Sequence, residues 1–308
     1  MIKMIVGPPA SGKTSISKKY VDQRFIHLNR DTEGGKVIDL LPKMESLLKD
    51  KKSIIIDNLF ATAESRKPFI DLAKKYDKID CLLMETSIED ATFNAIQRMI
   101  DIHGSFPSLD EIKKSKHPNI FPVAVLFKIK KEYQKPSLTE GFDSIEKIPF
   151  LRKDKVEFKN KALFLDYDST IRECVGGNGK FPTEESHISI LPNRYNILKS
   201  FQDNGYYLIG VSNQSGVHKG DLTFNKAYDL FVHTNKLLGL DIEINFCPHQ
   251  SAPPVCYCRK PQIGIFVNMM NKFKLNRAEC LFVGDHGTDA SAAKRFGIKY
   301  VDQAEFFK

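Results

Sequence analysis

Two short phosphate-handling signatures, each set directly behind an apolar run, constrain this chain more than anything else in it. Gly7-Pro8-Pro9-Ala10-Ser11-Gly12-Lys13-Thr14 follows the run Met1 to Val6, and Asp166-Tyr167-Asp168-Ser169-Thr170 follows Ala162 to Leu165. A glycine-rich turn between a strand and a helix lets backbone N–H groups face inward around phosphates. Two carboxylates placed two residues apart at a strand end point to the same side and can share one ligand. Both arrangements need open parallel sheets whose strand ends converge on a ligand. The expected fold is therefore α/β, built as two sheets.

Length agrees, because 308 residues correspond to about two domains, each able to bury its own core. In the first half, Ser53 to Asp57 and Cys81 to Glu85 read as buried strands. Ala63 to Tyr76 between them has helical spacing, and a helix from Lys13 to Tyr20 follows the glycine-rich turn. In the second half, Ala162–Leu165, Tyr207–Val211, Asp241–Phe246 and Cys280–Val283 read as strands with helices between them. The pattern weakens from about Glu140 to Asn160, through Gly141, Pro149 and Arg152-Lys153-Asp154-Lys155. The expectation is a P-loop sheet domain over 1–152 and a Rossmann-like domain over 160–308.

Composition is that of a soluble globular protein, 42% hydrophobic and 27% charged, with no apolar run long enough to cross a bilayer. The chain begins directly with a strand, which leaves no room for a signal peptide, so a cytoplasmic location is expected, or a nuclear one in a eukaryote, with no membrane partner. The net charge of +8 suits a polyanionic substrate without demanding one. Basic runs such as Lys113-Lys114-Ser115-Lys116 and Lys128-Ile129-Lys130-Lys131 read as solvated helix faces more readily than as nucleic-acid tracks. Six cysteines without an export signal argue against a disulfide framework.

The first signature implies an ATP site. Gly7, Ser11 and Gly12 shape the loop, Lys13 reaches the terminal phosphates, and the Thr14 hydroxyl holds Mg²⁺. A phosphate acceptor would dock at the ends of the following strands. There Asp31, in Asn29-Arg30-Asp31-Thr32, could take the proton of an attacking hydroxyl, or could simply cap a helix. Arg30 and Asp57 are candidates for the substrate side, Asp57 also for the Mg²⁺ shell. Arg98, on a helical stretch, is a candidate lid residue over the phosphates.

The second signature implies phosphate removal through an aspartyl-phosphate, with Asp166 attacking phosphorus and Asp168 protonating the leaving oxygen. Ser212 can hydrogen-bond the phosphoryl group, Asn213 can touch the substrate, and Lys260 can neutralise the intermediate. Mg²⁺ is expected beside Asp166, held by Asp285 with Asp289, and Asp168 is a further candidate ligand. Cys247-Pro248-His249 and Cys256-Tyr257-Cys258 carry the paired spacing of a tetrahedral Zn²⁺ site, and the absence of a carboxylate ligand suggests a structural one. That loop stands directly before Arg259-Lys260-Pro261.

The run Asn29-Arg30-Asp31-Thr32 resembles the kinase domain of polynucleotide 5′-kinase/3′-phosphatases. So do the Asp57-Asn58 strand end with Ala63-Glu64-Ser65-Arg66 and the closing Leu138-Thr139-Glu140-Gly141-Phe142. The resemblance assigns the general-base role to Asp31. That family tends to place two arginines in its lid, whereas only Arg98 stands in the nearby window here. Asp166 through Asp289 resemble the haloacid-dehalogenase phosphatase superfamily, in which Ser169 takes a place often held by glycine. The short Ile171 to Gln202 segment implies a minimal cap and an open site. The cysteine–histidine loop and Lys219-Gly220-Asp221-Leu222-Thr223 resemble the branch with histidinol-phosphate and heptose-bisphosphate phosphatases.

Together these imply an end-healing enzyme that phosphorylates 5′-hydroxyl ends and removes 3′-phosphates from DNA or RNA, with a ligase acting downstream. A small-molecule kinase fused to a sugar-phosphate phosphatase remains an alternative. A nucleotide-dependent scaffold with an inactive phosphatase half is a third reading, against which Asp166, Asp168, Ser212, Lys260 and Asp285 all speak.

Overall fold

The computed structural model describes residues 1–176, 181–253 and 255–308. It divides into two compact units, one of residues 1–95 and 114–152, the other of 96–113 and 153–308. The division is not contiguous, because 96–113 group with the second unit. There Gln97 and Asn271 exchange side-chain hydrogen bonds at 3.0 and 2.9 Å, and Phe106 meets the Tyr257 ring edge-on.

In the first unit, strands β1 (Ile2–Val6), β2 (Ile26–Leu28), β3 (Ile54–Asp57), β4 (Ile79–Met84) and β5 (Ser144–Ile148) form one sheet in the order β2-β3-β1-β4-β5. All of its pairings are parallel. Alternate residues of β1 face opposite sides. Ile2, Met4 and Val6 join Ile54, Ile56 and Leu83 in one core, while Ile5 joins Ile55, Leu82 and Met84 in another. Covering both faces explains why the central strands are largely apolar, with Lys3 and Asp80 the interruptions inside β1 and β4. Helix α1 (Lys13–Val21) lies over the second core through Ile16 and Tyr20. The remaining helices are α2 (Arg30–Glu33), α3 (Leu41–Lys49), α4 (Ala63–Ala73), α5 (Ile88–His103), α6 (Leu109–Lys114) and α7 (Val123–Glu132).

The second unit is built on β6 (Lys161–Leu165), followed by an antiparallel pair of β7 (Arg172–Cys174) and β8 (Ile188–Ile190). After α8 (Arg194–Asp203) come β9 (Tyr206–Gly210), β10 (Ser212–Asn213), α9 (Ser215–Lys219), α10 (Phe224–Leu238) and β11 (Phe246–Cys247). The chain ends with α11 (Gly264–Phe273), β12 (Leu281–Gly284), α12 (Gly287–Phe296), β13 (Lys299–Asp302) and α13 (Gln303–Phe306). The main sheet runs β13-β12-β6-β9 and is parallel. Its register pairs Leu165 with both Val283 and Gly210, so three strands end level and deliver Asp166, Ser212 and Asp285 to one edge.

Two strand expectations need correction. Asp241–Phe246 is not a strand: only a bridge from Ile209 to Glu243 and the short β11 occur there. Conversely, β5 lies in the stretch whose pattern weakens, because it is an edge strand with polar, exposed positions at Ser144, Glu146 and Lys147.

Candidate active sites

In the first unit the loop from Gly7 to Gly12 leaves β1 and enters α1, as the motif requires. A Cβ on Gly7 would sit 2.7 Å from Met84 Cβ and 2.9 Å from Ser11 Oγ, so the loop is too tight for any other residue there. Gly12 caps α1 with φ +92°, a left-handed conformation that favours glycine. Thr86 Oγ1 donates to the Ser11 carbonyl at 2.9 Å and Asn94 Nδ2 to the Ala10 carbonyl at 2.9 Å, which fixes the loop from outside. Lys13 Nζ bridges the mouth, donating to the Gly7 and Pro8 carbonyls at 3.1 and 2.8 Å. Thr14 is exposed in the first turn of α1, and the Ser11 hydroxyl is buried with no hydrogen-bond partner among the described residues.

Asp31 lies exposed on α2, and the segment that carries it is tied to the end of β3. Asn29 Nδ2 donates to the Asp57 carbonyl at 2.5 Å, and the Arg30 amide donates to Asn58 Oδ1 at 3.0 Å. Both capping and presentation occur here, but the cap is Asn29, whose Oδ1 accepts from the Asp31 amide at 2.7 Å. That leaves the Asp31 side chain outside, beside Arg30 at 2.5 Å. Asp57 is 2% exposed, with His27 Nε2 3.6 Å from its Oδ2, so its side chain belongs to the floor of the site rather than to a substrate-binding surface. Arg98 lies half-buried on α5, in the part grouped with the second unit.

In the second unit the level strand ends open into a cleft of about 670 Å³, lined among others by Asp166, Asp168, Ser212, Lys260, Asp285 and Asp289. Lys260 is its central cation. Its Nζ lies 2.6 Å from Asp166 Oδ1 and 2.9 Å from Asp289 Oδ1, and it donates to the Val211 carbonyl at 2.6 Å. Burial works to depress this ammonium, but Asp166 and Asp289 outweigh it and leave its pKa raised. Burial raises the Asp166 carboxyl to about 7, helped by repulsion from Asp289 and Asp168 and opposed by Lys260. Asp285 is raised as well, by burial and then by Asp289. Oxygens of Asp166, Asp285 and Asp289 lie within 4.8 Å of one another, a crowding of acids that fits a hard divalent cation.

Two expected roles change. Both oxygens of Asp168 are already taken: Oδ1 accepts from Arg172 Nε at 2.8 Å and Oδ2 from Gln214 Nε2 at 2.8 Å. The oxygens that converge are those of Asp166, Asp285 and Asp289, and Asp168 is not among them, so its side chain is not brought to the metal cluster. Asn213 lines the cleft, but its side chain is engaged with the Lys260 main chain, its Nδ2 donating to the Lys260 carbonyl at 3.1 Å and its Oδ1 accepting from the Lys260 amide at 3.0 Å. Ser212 is 2% exposed at the cleft floor and accepts from Gln214 Nε2 at 3.2 Å. The sequence reading missed Arg172 and Gln214. Gln214 directly follows Ser212-Asn213, which was a usable signal, but nothing local marks Arg172.

Beside the cleft, Cys247, His249, Cys256 and Cys258 converge. Cys247 Sγ lies 3.6 Å from Cys256 Sγ, 3.2 Å from Cys258 Sγ and 3.4 Å from His249 Nδ1, which is itself 3.2 Å from Cys258 Sγ. A tetrahedron with arms of about 2.3 Å has edges of about 3.8 Å, so three thiols and an imidazole at these separations fit one soft divalent ion. All six cysteines are free.

Residues 161–306 match the family model described as polynucleotide kinase 3 phosphatase. The match lies wholly in the C-terminal half of the chain. It is 32% identical over 146 residues to a protein of Thermoplasma volcanium named a probable D-glycero-D-manno-heptose-1,7-bisphosphate 7-phosphatase, a match spanning 46% of this chain and 96% of that one. It is also 32% identical over 151 residues to the bifunctional polynucleotide phosphatase/kinase of Schizosaccharomyces pombe, spanning 48% of this chain but only 33% of that protein. Along 98% of its length it overlays 95% of a chain in the solved Pnkp1/Rnl/Hen1 RNA repair complex at 14% identity, with a TM-score of 0.31 too low to carry an argument. No helix among the described residues is long and apolar enough to cross a membrane.

Proposed function

We propose that the chain heals nucleic-acid ends, with residues 1–152 phosphorylating 5′-hydroxyls from ATP and residues 160–308 removing 3′-phosphates. The observation that carries this reading is one polypeptide holding both a phosphate loop with an exposed carboxylate tied to the next strand end and a C-terminal half that matches the polynucleotide kinase 3 phosphatase family model. In the kinase half Lys13 leaves its carbonyls for the terminal phosphates of ATP, and Thr14 would hold Mg²⁺. Asp31 accepts the proton of the attacking hydroxyl. Arg30, beside Asp31, contacts the acceptor strand.

In the phosphatase half Asp166 attacks phosphorus while Asp168 protonates the departing 3′-oxygen, after which Asp168 takes a proton from the water that hydrolyses the aspartyl-phosphate. Ser212 and Lys260 hold the phosphoryl oxygens. Asp166, Asp285 and Asp289 would hold Mg²⁺, which when bound neutralises phosphoryl charge at that edge. Cys247, His249, Cys256 and Cys258 would hold Zn²⁺ as a brace for the segment presenting Lys260.

The test uses oligonucleotides bearing 5′-hydroxyl and 3′-phosphate ends with ATP and Mg²⁺. Asp31→Ala should abolish only end phosphorylation, and Asp166→Ala only phosphate release. Persistence of either activity in its own variant would overturn the assignment. The heptose-bisphosphatase relative favours a second reading, a phosphatase of small esters. That reading requires equal or faster turnover of sugar phosphates and no preference for longer oligonucleotides. Matched RNA and DNA ends would define the natural polymer, and the sealing step would fall to a ligase.

A further inference from the structure

Asp168 has two jobs in the phosphatase scheme, and a short carboxylate side chain performs both only if it is aimed. In the first half-reaction an Asp166 oxygen bonds to phosphorus and the P–O3′ bond breaks with its electron pair on O3′, which takes the proton of Asp168. In the second, water bonds to phosphorus and the bond to Asp166 breaks with its pair returning to that carboxylate. Asp168 recovers a proton from the water, and inorganic phosphate leaves.

We propose that Arg172 is the positioning residue that aims Asp168 at the leaving oxygen; the inference rests on the phosphatase reading above. Arg172 does not touch the substrate cleft. It is 1% exposed, and Asp168 is its ion-pair partner at 2.8 Å. Its Nη1 donates to the Leu230 carbonyl at 3.0 Å and to Thr234 Oγ1 at 2.8 Å, and its guanidinium lies over the Phe231 ring at 4.7 Å. All three anchors are on α10. The loop between the two residues closes on itself, the Ser169 amide donating to the Arg172 carbonyl at 2.8 Å and the Arg172 amide to the Tyr167 carbonyl at 3.0 Å. A buried guanidinium fixed at three points offers Nε in one direction, and that direction is Asp168 Oδ1. Gln214 reaches only the other oxygen. The helix α10 thereby sets the angle of the acid through one rigid side chain.

Leaving-group chemistry separates this role from a structural one. A nucleoside 3′-oxygen is a poor leaving group and needs the proton, whereas 4-nitrophenolate departs without it. The comparison is made on kcat/KM, which covers the steps up to aspartyl-phosphate formation and omits the hydrolysis common to both substrates. Arg172→Met should lower kcat/KM for a 3′-phosphorylated oligonucleotide by about 100-fold or more, the scale of a lost general acid, and that for 4-nitrophenyl phosphate by less than about threefold. Arg172→Lys keeps the charge but loses the fixed Nε, and should fall between. Thr234→Val removes one anchor and should give the same selectivity at smaller size.

Parallel losses on the two substrates in Arg172→Lys and Thr234→Val would overturn the inference, and these two variants decide the matter if Arg172→Met does not fold. A wild-type protein that releases phosphate from neither substrate would instead remove the phosphatase reading on which the inference rests.

Discussion

Asn213 and Lys260 exchange two hydrogen bonds, the side-chain amide of the first closing on the main-chain amide and carbonyl of the second at 3.0 and 3.1 Å. The pair joins the end of β10 to the segment after the cysteine–histidine loop, so the height of the Lys260 ammonium over Asp166 is set from two sides. Two part-buried hydrogen bonds of about 1 kcal/mol each are at stake. Asn213→Ala should therefore destabilise the phosphatase unit by about 1–2 kcal/mol in urea unfolding. It should cut 3′-phosphate release about tenfold through kcat and leave 5′-phosphorylation unchanged. A rise in KM alone would mean that Asn213 serves the substrate after all.

The acids around Lys260 give the phosphatase a pH signature in its metal affinity. Burial foremost, with repulsion from Asp289 and Asp168, lifts Asp166 to about 7, and a protonated carboxyl is a poor Mg²⁺ ligand. Below that value the proton must be displaced; above it the ligand is ready. Mg²⁺ affinity, measured by calorimetry on the whole protein, should tighten as pH rises, by close to tenfold per unit well below 7 and by about fivefold between 6 and 7, and level off above about 8. An affinity that is flat from pH 6 to 8 would show that Asp166 is already ionised throughout.

What the sequence made legible was whatever a short motif attaches to a strand end. The phosphate loop follows one such strand end, and Asp166, Ser212 and Asp285 could be placed because the second parallel sheet delivers strand ends to one edge, with Lys260 marked by the Arg259-Lys260-Pro261 motif after the cysteine–histidine loop. The partners that aim these groups are set by contacts across long separations. Arg172 meets Leu230 and Thr234, and Asn213 meets Lys260, through spacings that no local pattern encodes. The assignment of Asp168 to the metal failed for the same reason: two carboxylates on one strand end look equivalent until Arg172 and Gln214 are seen to occupy one of them. Strand β5 escaped because an edge strand with polar side chains carries no hydrophobic signal.

Ser169 adopts φ +63°, a left-handed conformation in which a Cβ is strained, and this explains why glycine suits its place in the Asp-x-Asp loop. Ser169→Gly relieves that strain but gains freedom in the unfolded chain, so the two effects offset one another. The expected change in unfolding free energy is within about 1 kcal/mol, with phosphatase turnover retained. A loss beyond that range would show that the serine hydroxyl, at the cleft wall, makes a contact that outweighs the backbone strain.

The proposed zinc brace makes a separable prediction, because it would act on the phosphatase cleft through main-chain geometry and not by touching phosphate. Arg259 Nη1 donates to the His249 carbonyl at 3.1 Å, and Lys260 follows Cys258 by two residues, so loosening the four ligands releases both cations. Metal analysis of the purified protein should give one zinc per chain, falling to near zero in Cys256→Ser. That variant, or wild type treated with a strong chelator and resupplied with Mg²⁺, should lose at least about tenfold in 3′-phosphate release and unfold at lower temperature. Its 5′-phosphorylation should stay within about twofold, because the phosphate loop, Asp31 and Asp57 belong to the other unit. Full phosphatase activity after complete zinc removal would reduce the cluster to a set of buried thiols and would leave Asn213 as the main support of Lys260.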